Sequence, residues 1–193
     1  MELALYGYGG HAREVAAQIG EKVIFFVDDK YANHIAKPIS SFNPETHQMM
    51  VAIGDSKSRF DIVQRLPKET VYFTFVHPTA LILDNNIEIG EGSFIGAYSI
   101  LTTNIKLGKH ALLNRANHIG HDCNIGDYFS TMPGAIVSGN VTIYDCVYMG
   151  TNSSIREKLN VHSLSIIGMN SCVVKNINES GVYIGTPAKK IIK

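Results

Sequence analysis

The chain lacks an excess of charge of either sign, because 17 lysine and arginine residues balance 17 aspartate and glutamate residues. A nucleic-acid or membrane-surface partner is therefore not expected. No apolar run approaches the roughly 18 residues of a membrane-spanning helix. The N-terminus also lacks the basic segment, apolar stretch and cleavage site of a secretory signal. We therefore expect a soluble, cytoplasmic protein with no membrane partner.

Cysteine is scarce as well. The three cysteines, Cys123, Cys146 and Cys172, are an odd number and do not have the spacing of a metal site. We expect packed free thiols in a reducing compartment rather than disulfides.

A six-residue repeat dominates the chain between Ile89 and Val173. Fourteen of the fifteen positions in this row are Ile, Leu, Val or Met, and Thr131 is the exception. Glycine often follows the aliphatic residue, and a small residue often stands two positions before it. The row comprises Ile89, Ile95, Leu101, Leu107, Leu113, Ile119, Ile125, Thr131, Val137, Ile143, Met149, Ile155, Val161, Ile167 and Val173.

This strict period predicts a parallel β-helix, in which three units close one triangular coil and residues 18 apart stack. The aliphatic residue and the small residue both face inward, since side chains alternate along a strand. The glycines would suit corners that need a positive φ. The alternative is a sandwich of short strands, but a sandwich spaces its turns about every 8–12 residues and keeps no strict period.

The first 78 residues instead alternate strand and helix patterns, which predicts a small parallel α/β sheet resembling half of a dinucleotide-binding fold. We expect strands over residues 3–6, 23–27, 49–53 and 71–76, and helices over residues 11–19 and 56–66. The predicted domains are 1–78 and 79–193, and the coil is expected to begin near residues 80–83.

A glycine loop follows the first predicted strand. Gly7-x-Gly9-x-x-Ala12 opens the first helix, and Asp28 ends the second strand. Glycines let the backbone approach a phosphate, and a helix N-terminus supplies unpaired N–H groups. The pattern is typical of NAD binding. The segment has room for only one mononucleotide-binding half, however, which suits a nucleoside diphosphate better. A tight turn without a ligand is a further alternative. Ligands in open α/β sheets bind at the carboxyl ends of strands. The polar candidates there are Gly9, Gly10, His11, Asp28, Asp29, Lys30, Gly54 and Asp55.

The most polar stretch of the coil runs from Asn114 to Asp122. His121 falls at or just past a corner, and His118 also points away from the core. Imidazole titrates near neutral pH, and an adjoining carboxylate such as Asp122 can fix its tautomer, so a general base is indicated. A solvated turn histidine is the alternative.

A metal site is not predicted. No histidine stacks on another at a separation of 18 or 36 residues. His118 and His121 alone are too few for a three-histidine zinc site, unless subunits share the ligands.

These segments together resemble a known family, the bacterial sugar O- and N-acyltransferases with hexapeptide repeats. It includes sialic acid O-acetyltransferases and bacillosamine-type N-acetyltransferases, and the resemblance covers nearly the whole chain. It rests on Leu5-Tyr6-Gly7-x-Gly9-Gly10-His11, Phe26-Val27-Asp28-Asp29-Lys30, Ile53-Gly54-Asp55, His77-Pro78, residues 114–126 and Gly185-x-Pro187-Ala188-Lys189.

The resemblance implies left-handed winding and a homotrimer with active sites between subunits. It implies His121 as catalytic base, Asp122 as its acidic partner and Asn114 near the transferred group. The strand-end candidates and His118 would hold the nucleotide-linked sugar. Acetyl-CoA would contact Gly139, Gly150, Thr151, Gly168, Pro187, Ala188, Lys189 and Lys190.

One position departs from some relatives, which carry a second active-site histidine nine residues after the base. This chain has Ser130 there, so its sugar pocket is expected to differ from theirs.

The expected function is N-acetylation of a nucleotide-linked amino sugar by acetyl-CoA, without a metal, in surface glycan biosynthesis. The expected acceptor is the amine at C4 of a 4,6-dideoxy sugar. Three alternatives stay open. They are O-acetylation of a sugar such as sialic acid, non-catalytic binding of a nucleotide sugar, and a carbonic anhydrase of the trimeric β-helix class.

Overall fold

The N-terminal part of the chain is a five-stranded parallel sheet with two helices. The computed structural model describes residues 1–191. The elements are β1 Glu2–Tyr6, α1 Gly10–Ile19, β2 Ile24–Val27, β3 Ala36–Pro38, β4 His47–Val51, α2 Ser56–Val63 and β5 Val71–Tyr72, with single 3-10 turns at Asp29–Tyr31 and Ile39–Ser41. The strand order in the sheet is β3-β2-β1-β4-β5. The strand Ala36–Pro38 was not predicted. Neither helix in this described part of the chain has the length and apolar character needed to cross a bilayer.

Alternating side chains give this sheet two apolar faces. Leu5 packs with Val15 of α1, whereas Ala4 packs with Ile62 of α2 on the opposite face. Helix α1 ends at Gly20, whose φ of 70° supplies the left-handed conformation that helix ends favour. The strand order reverses direction between β1 and β4, so a crevice opens at the carboxyl ends of these two strands.

The rest of the chain winds into a parallel β-helix of short strands that form three sheets. Sheet I contains β6, β9, β12, β15, β18, β21, β23 and β24, sheet II contains β7, β10, β13, β16, β19 and β22, and sheet III contains β8, β11, β14, β17 and β20. The strands are β6 Phe75–Val76, β7 Leu81–Ile82, β8 Glu88–Ile89, β9 Phe94–Ile95, β10 Ile100–Leu101, β11 Lys106–Leu107, β12 Leu112–Leu113, β13 His118–Ile119, β14 Asn124–Ile125, β15 Ser130–Thr131, β16 Ile136–Val137, β17 Thr142–Ile143, β18 Tyr148–Met149, β19 Ser154–Ile155, β20 Asn160–Val161, β21 Ser165–Ile167, β22 Cys172–Val173, β23 Gly181–Ile184 and β24 Lys189–Lys190.

Three corners connect these sheets. Corner I/II follows the strands of sheet I and includes Asn114. Corner II/III follows sheet II and includes His121, and corner III/I follows sheet III and includes His110.

The predicted hexad register is confirmed by the strand pairing. Leu101 lies opposite Ile119 and Leu113 lies opposite Thr131, an offset of 18 residues. Every residue of the aliphatic row except Ile89 is buried, as are the residues two positions earlier. Thr131 is also buried, and its hydroxyl donates to the Leu112 carbonyl at 3.4 Å, so the polar residue in the row has a partner.

The glycines of the repeat have a different role from the one predicted. Within the repeat, positive φ values occur three residues before every position of the aliphatic row except Ile89, as at Asn104, Asp122 and Asn140. The prediction that the glycines after the aliphatic row supply positive φ is therefore wrong. A Cβ at Gly90 would lie 2.5 Å from the Gly108 backbone carbon, so this glycine is needed because successive coils approach closely.

The predicted strand over residues 71–76 is also wrong. Val71–Tyr72 pairs with β4 in the α/β sheet, whereas Phe75–Val76 pairs with β9 in the coil. The coil therefore begins a few residues before the predicted start. The division into domains at residue 78 stays a prediction.

A buried arginine joins the α/β part to the coil. The Arg59 side chain is 1% exposed, and its Nε donates to the His110 carbonyl at 2.9 Å. Its Nη2 donates to the Tyr128 carbonyl at 2.9 Å and to the Ser130 hydroxyl at 2.8 Å, and its Nη1 donates to the Ile53 carbonyl at 2.6 Å. Burial lowers the pKa of Arg59 to about 10, so the guanidinium stays charged at neutral pH.

His110 lies beside this arginine, between two tyrosine rings. Its ring centroid is 4.5 Å from that of Tyr72 and 5.1 Å from that of Tyr128. Burial lowers the pKa of His110 to about 4. The neighbouring charges act in both directions: Arg59 and Lys109 lower this pKa, and Glu91 and Asp127 raise it.

The neutral state of His110 predicts a pH-dependent stability. An unfolded histidine takes up a proton below about pH 6.5, whereas folded His110 resists protonation until about pH 4. The contribution of His110 to the free energy of unfolding should therefore be complete above pH 6.5. It should fall by up to about 3 kcal/mol as the pH drops from about 6.5 to about 4. Denaturant unfolding of wild type and His110→Phe at several pH values measures this fall. The dependence of the free energy of unfolding on pH should weaken in His110→Phe and persist in His162→Phe, a control variant of an exposed histidine. An equal dependence in both variants would contradict the role of His110.

Candidate active site

A cavity of about 440 Å³ opens at the carboxyl ends of β1, β2 and β4, and we call it the strand-end cavity. Its wall is fixed by Tyr6, whose hydroxyl donates to Asp28 Oδ1 at 2.6 Å. Burial and this carboxylate raise the pKa of Tyr6 to about 12. Arg65 Nη1 lies 3.3 Å from the same carboxylate oxygen. The lining residues are Tyr6, Gly7, Tyr8, Gly9, Val27, Asp28, Tyr31, Asn33, Ile53, Ser58 and Ile62.

A second cavity of about 620 Å³ lies between the α/β part and corner I/II, and we call it the interdomain cavity. Adjacent residues line the two cavities, because Gly9 and Ile53 line the first and Gly10 and Gly54 line the second. The N-terminus of α1 opens onto it, so unpaired backbone N–H groups face the space. Its lining residues are Gly10, His11, Glu14, Gly54, Asp55, Asn114, Arg115, Met132, Pro133 and Tyr148.

His11 lines the interdomain cavity and has one ring nitrogen without a hydrogen-bond partner in the described part of the chain. Its Nε2 is buried and has no hydrogen-bond partner among the described residues, while Nδ1 lies 3.9 Å from Glu14. Burial lowers the pKa of His11, the Glu14 carboxylate opposes this, and the charges of Arg59 and Arg115 add to it. His11 is therefore a neutral imidazole with one nitrogen whose hydrogen-bonding capacity is unused among the described residues.

Asn114 lies at the floor of the same cavity and is 3% exposed. Its Oδ1 accepts a hydrogen bond from the Arg115 backbone N–H at 2.8 Å. This contact fixes the amide, so its NH₂ group remains available as a donor.

His121 stands at corner II/III and is exposed. Its Nδ1 lies 2.7 Å from Asp122 Oδ2, and Asn104 Nδ2 donates to Asp122 Oδ1 at 2.6 Å. The hydrogen bond from Asn104, followed by that from His121, lowers the pKa of Asp122, so the carboxylate is ionised at neutral pH. Nδ1 is therefore the donor nitrogen, and Nε2 keeps its lone pair. A Cβ on Gly139 would lie 2.5 Å from Nε2, so this glycine leaves room for the ring.

The predicted substrate residues only partly come together. Gly9 and Asp28 line the strand-end cavity, and Gly10, His11, Gly54 and Asp55 line the interdomain cavity. Three others lie outside both linings. Asp29 accepts from the Ser40 N–H at 3.0 Å, the Lys30 ammonium lies 4.8 Å from the centre of the Tyr31 ring, and His118 is on the outer face of sheet II.

The residues predicted to contact acetyl-CoA lie at two corners. Gly150, Thr151 and Gly168 follow strands of sheet I at corner I/II. The segment Pro187–Lys190 lies nearby, with the Ala188 N–H donating to the Cys172 carbonyl at 2.8 Å and Lys190 paired to Glu179 at 3.1 Å. Gly139 lies instead at corner II/III with His121.

Several cavity residues carried no sequence signal of their own. Glu14, Arg115, Met132 and Tyr148 reach the interdomain cavity only because the α/β part folds against sheet I. Ser130 does not line this cavity, because its buried hydroxyl donates to the Gly54 carbonyl at 2.8 Å.

Comparisons with known proteins agree with this architecture. Residues 2–66 match the family model of the PglD N-terminal domain. The chain is 26% identical over 174 residues to a GDP-perosamine N-acetyltransferase of Escherichia coli O157:H7. The matched region covers 79% of this chain and 77% of that protein.

Two solved structures extend the likeness to nearly the whole chain. WeeI from Acinetobacter baumannii AYE is 29% identical with a TM-score of 0.88, covering 99% of this chain and all of that one. The acetyltransferase domain of PglB from Neisseria gonorrhoeae FA1090, solved with acetyl coenzyme A, is 27% identical with a TM-score of 0.84, covering 98% of each chain.

These likenesses confirm the predicted fold, an α/β domain followed by a left-handed parallel β-helix. The fold and the repeat are those of hexapeptide-repeat acyltransferases. Within that class, the relatives that this chain resembles over most of its length include a bacterial sugar N-acetyltransferase.

Proposed function

We propose that this chain transfers an acetyl group from acetyl-CoA to the amine of a nucleotide-linked amino sugar, with the amine at C4 of a 4,6-dideoxy ring. The observation that carries the proposal is the His121–Asp122 pair, which leaves a basic ring nitrogen open to solvent at the coil surface. A relative that acts on GDP-perosamine and a similar structure that contains acetyl-CoA support both substrates. We place the reaction in the cytoplasm, in the synthesis of surface glycans.

The chemistry is direct transfer. His121 Nε2 takes a proton from the amine as its nitrogen attacks the thioester carbonyl. The tetrahedral intermediate collapses with cleavage of the C–S bond, and the CoA sulfur leaves with the proton held by His121. No nucleophilic side chain is required, and Asp122 stabilises the imidazolium through Nδ1.

One chain alone does not bring the base to the sugar. The interdomain cavity opens at corner I/II and His121 stands at corner II/III, so a full side of the triangular coil separates them. That side is about five extended residues, on the order of 15 Å. A general base must come within hydrogen-bond reach of the proton it removes. We therefore propose that the base for each cavity comes from another copy of the chain.

The outer surface of sheet II offers the contact that would join such copies. Its outward residues include the exposed Leu81 and Ile136 and the half-buried Ile100. The matching positions of sheet III are all polar: Glu88, Lys106, Asn124, Thr142 and Asn160. The outer surface of sheet II is therefore more apolar than that of sheet III, and exposed apolar side chains of this kind indicate an interface.

A threefold axis facing sheet II satisfies these requirements. In a closed ring of three coils, corner II/III of one chain meets corner I/II of the next, since these corners flank the same sheet. His121 and Gly139 of one chain then face Asn114, Gly150 and Gly168 of its neighbour. We therefore propose a homotrimer in which acetyl-CoA lies in each groove between coils.

The test is thiol release from acetyl-CoA with a panel of nucleotide-linked amino sugars, with sialic acid included. We expect release with a 4-amino-4,6-dideoxy sugar. Mass spectrometry of that product should show one added acetyl group that resists mild base, as an amide does and an ester does not. Release with sialic acid alone would replace the proposal with O-acetylation. A panel without any release would contradict both the donor and the acceptor class.

A further inference from the structure

We propose that Asn104 is a positioning residue for catalysis, which holds the Asp122 carboxylate in the orientation that His121 requires. The inference rests on the proposed role of His121 as the base.

The geometry is a relay of three side chains across two coils. Asn104 and Asp122 are 18 residues apart, so the winding of the coil stacks one on the other. Each oxygen of the carboxylate has one partner: Oδ1 accepts from Asn104 at 2.6 Å, and Oδ2 faces His121 Nδ1 at 2.7 Å. The amide thus occupies the oxygen that His121 does not use.

This second contact matters because the pair lies at the surface. The Asp122 side chain is 44% exposed and that of His121 is 56% exposed, so packing does not fix either of them. An exposed carboxylate with one hydrogen bond rotates easily, and each rotation would release Nδ1. With the donor from Asn104, the carboxylate plane is set by two bonds, and His121 keeps the tautomer with an open Nε2.

A simpler explanation for an asparagine here is its backbone. Asn104 has a φ of 50°, and asparagine tolerates this left-handed conformation better than most residues. The same corner supplies a matched control, because Asn140 has a φ of 59° and stacks on the other side of Asp122. Asn104→Ala and Asn140→Ala therefore carry similar backbone strain, and only the first removes the donor to Asp122.

The steady-state experiment compares these two variants with wild type. We expect Asn104→Ala to lower kcat about tenfold, in line with the loss of an outer partner of a catalytic group, with KM for both substrates within about twofold. Asn140→Ala should keep kcat near the wild-type value. Equal losses in the two variants would reduce Asn104 to a backbone role. An increase in KM for acetyl-CoA at unchanged kcat would make it a binding residue instead.

The tautomer of His121 supplies a readout that does not depend on activity. In ¹⁵N-histidine NMR, with the signal assigned by its loss in His121→Gln, wild type should show the Nδ1–H form. Asn104→Ala should shift it toward the Nε2–H form, and Asn140→Ala should not. An unchanged tautomer in Asn104→Ala would overturn the positioning role even if the sugar substrate were different from the one proposed.

Discussion

His121→Ala should lower kcat by ~10²–10⁴-fold, the range expected for loss of a general base. The His121 ring is exposed, so its removal leaves no buried cavity and the coil should keep its thermal stability. The loss has a chemical origin, because Nε2 is the basic atom available in the His121–Asp122 pair. Thiol-release kinetics with the best sugar of the panel would measure it.

The control separates chemistry from binding. Calorimetric titration should give a similar affinity of His121→Ala for the nucleotide sugar, since the residues that line the strand-end and interdomain cavities are unchanged in this variant. His162→Ala, which also removes an exposed coil histidine, should retain full turnover. Wild-type turnover in His121→Ala would remove the assignment of the base.

Arg59→Met should produce the largest loss of stability. The guanidinium is buried and donates to carbonyls of the coil and of the α/β part, so its removal leaves several acceptors unsatisfied across the junction. Each unsatisfied buried acceptor costs about 1–3 kcal/mol, and we expect a total loss of at least about 3 kcal/mol. The corresponding fall in Tm is on the order of 10 °C for a chain of this size.

The comparison for this prediction is Arg65→Met, measured by thermal unfolding at the same protein concentration. Arg65 has a 58% exposed side chain and pairs with Asp28 at the surface, so its loss should cost less than about 1 kcal/mol. Similar Tm values for the two variants would show that Arg59 does not hold the two parts of the chain together.

The coil could be predicted almost residue by residue, because each six-residue repeat in the sequence corresponds to one strand and one corner of the coil. A six-residue period fixes which side chains face inward, and three units fix the offset of 18 between stacked strands. The same counting also reaches Asn104, since it lies 18 positions before Asp122. The spacing therefore places these two side chains on neighbouring coils, although it does not reveal the hydrogen bond between them.

Other features depend on contacts that periodicity does not encode. Arg59 occupies the buried face of α2 with Ser56 and Ile62, although a charged side chain in a short polar helix indicates an exposed position. The strand predicted over residues 71–76 divides because its two halves pair with different sheets. His121 and Asn114 are seven residues apart in the sequence and were expected in one site. In the coil, Asn114 lies at corner I/II and His121 lies at corner II/III.

Mixed oligomers test the central claim, that each active site combines the base of one chain with the sugar cavity of its neighbour. One variant is His121→Ala, and the other is Gly10→Glu. A Cβ at Gly10 meets nothing within 4 Å, so the longer side chain can enter the interdomain cavity without disturbing the fold. Each variant alone should be inactive.

Co-expression with two different tags, followed by tandem purification, isolates oligomers that contain both chains. In random trimers, about one site in four joins an intact cavity to an intact base from the next chain. We therefore expect thiol release to recover to about a quarter of the wild-type rate in an unselected mixture. The rate should be higher in purified mixed oligomers, because these contain no trimers of a single variant. A mixture as inactive as its two parents would show that each site lies within one chain, and would contradict the shared-site account.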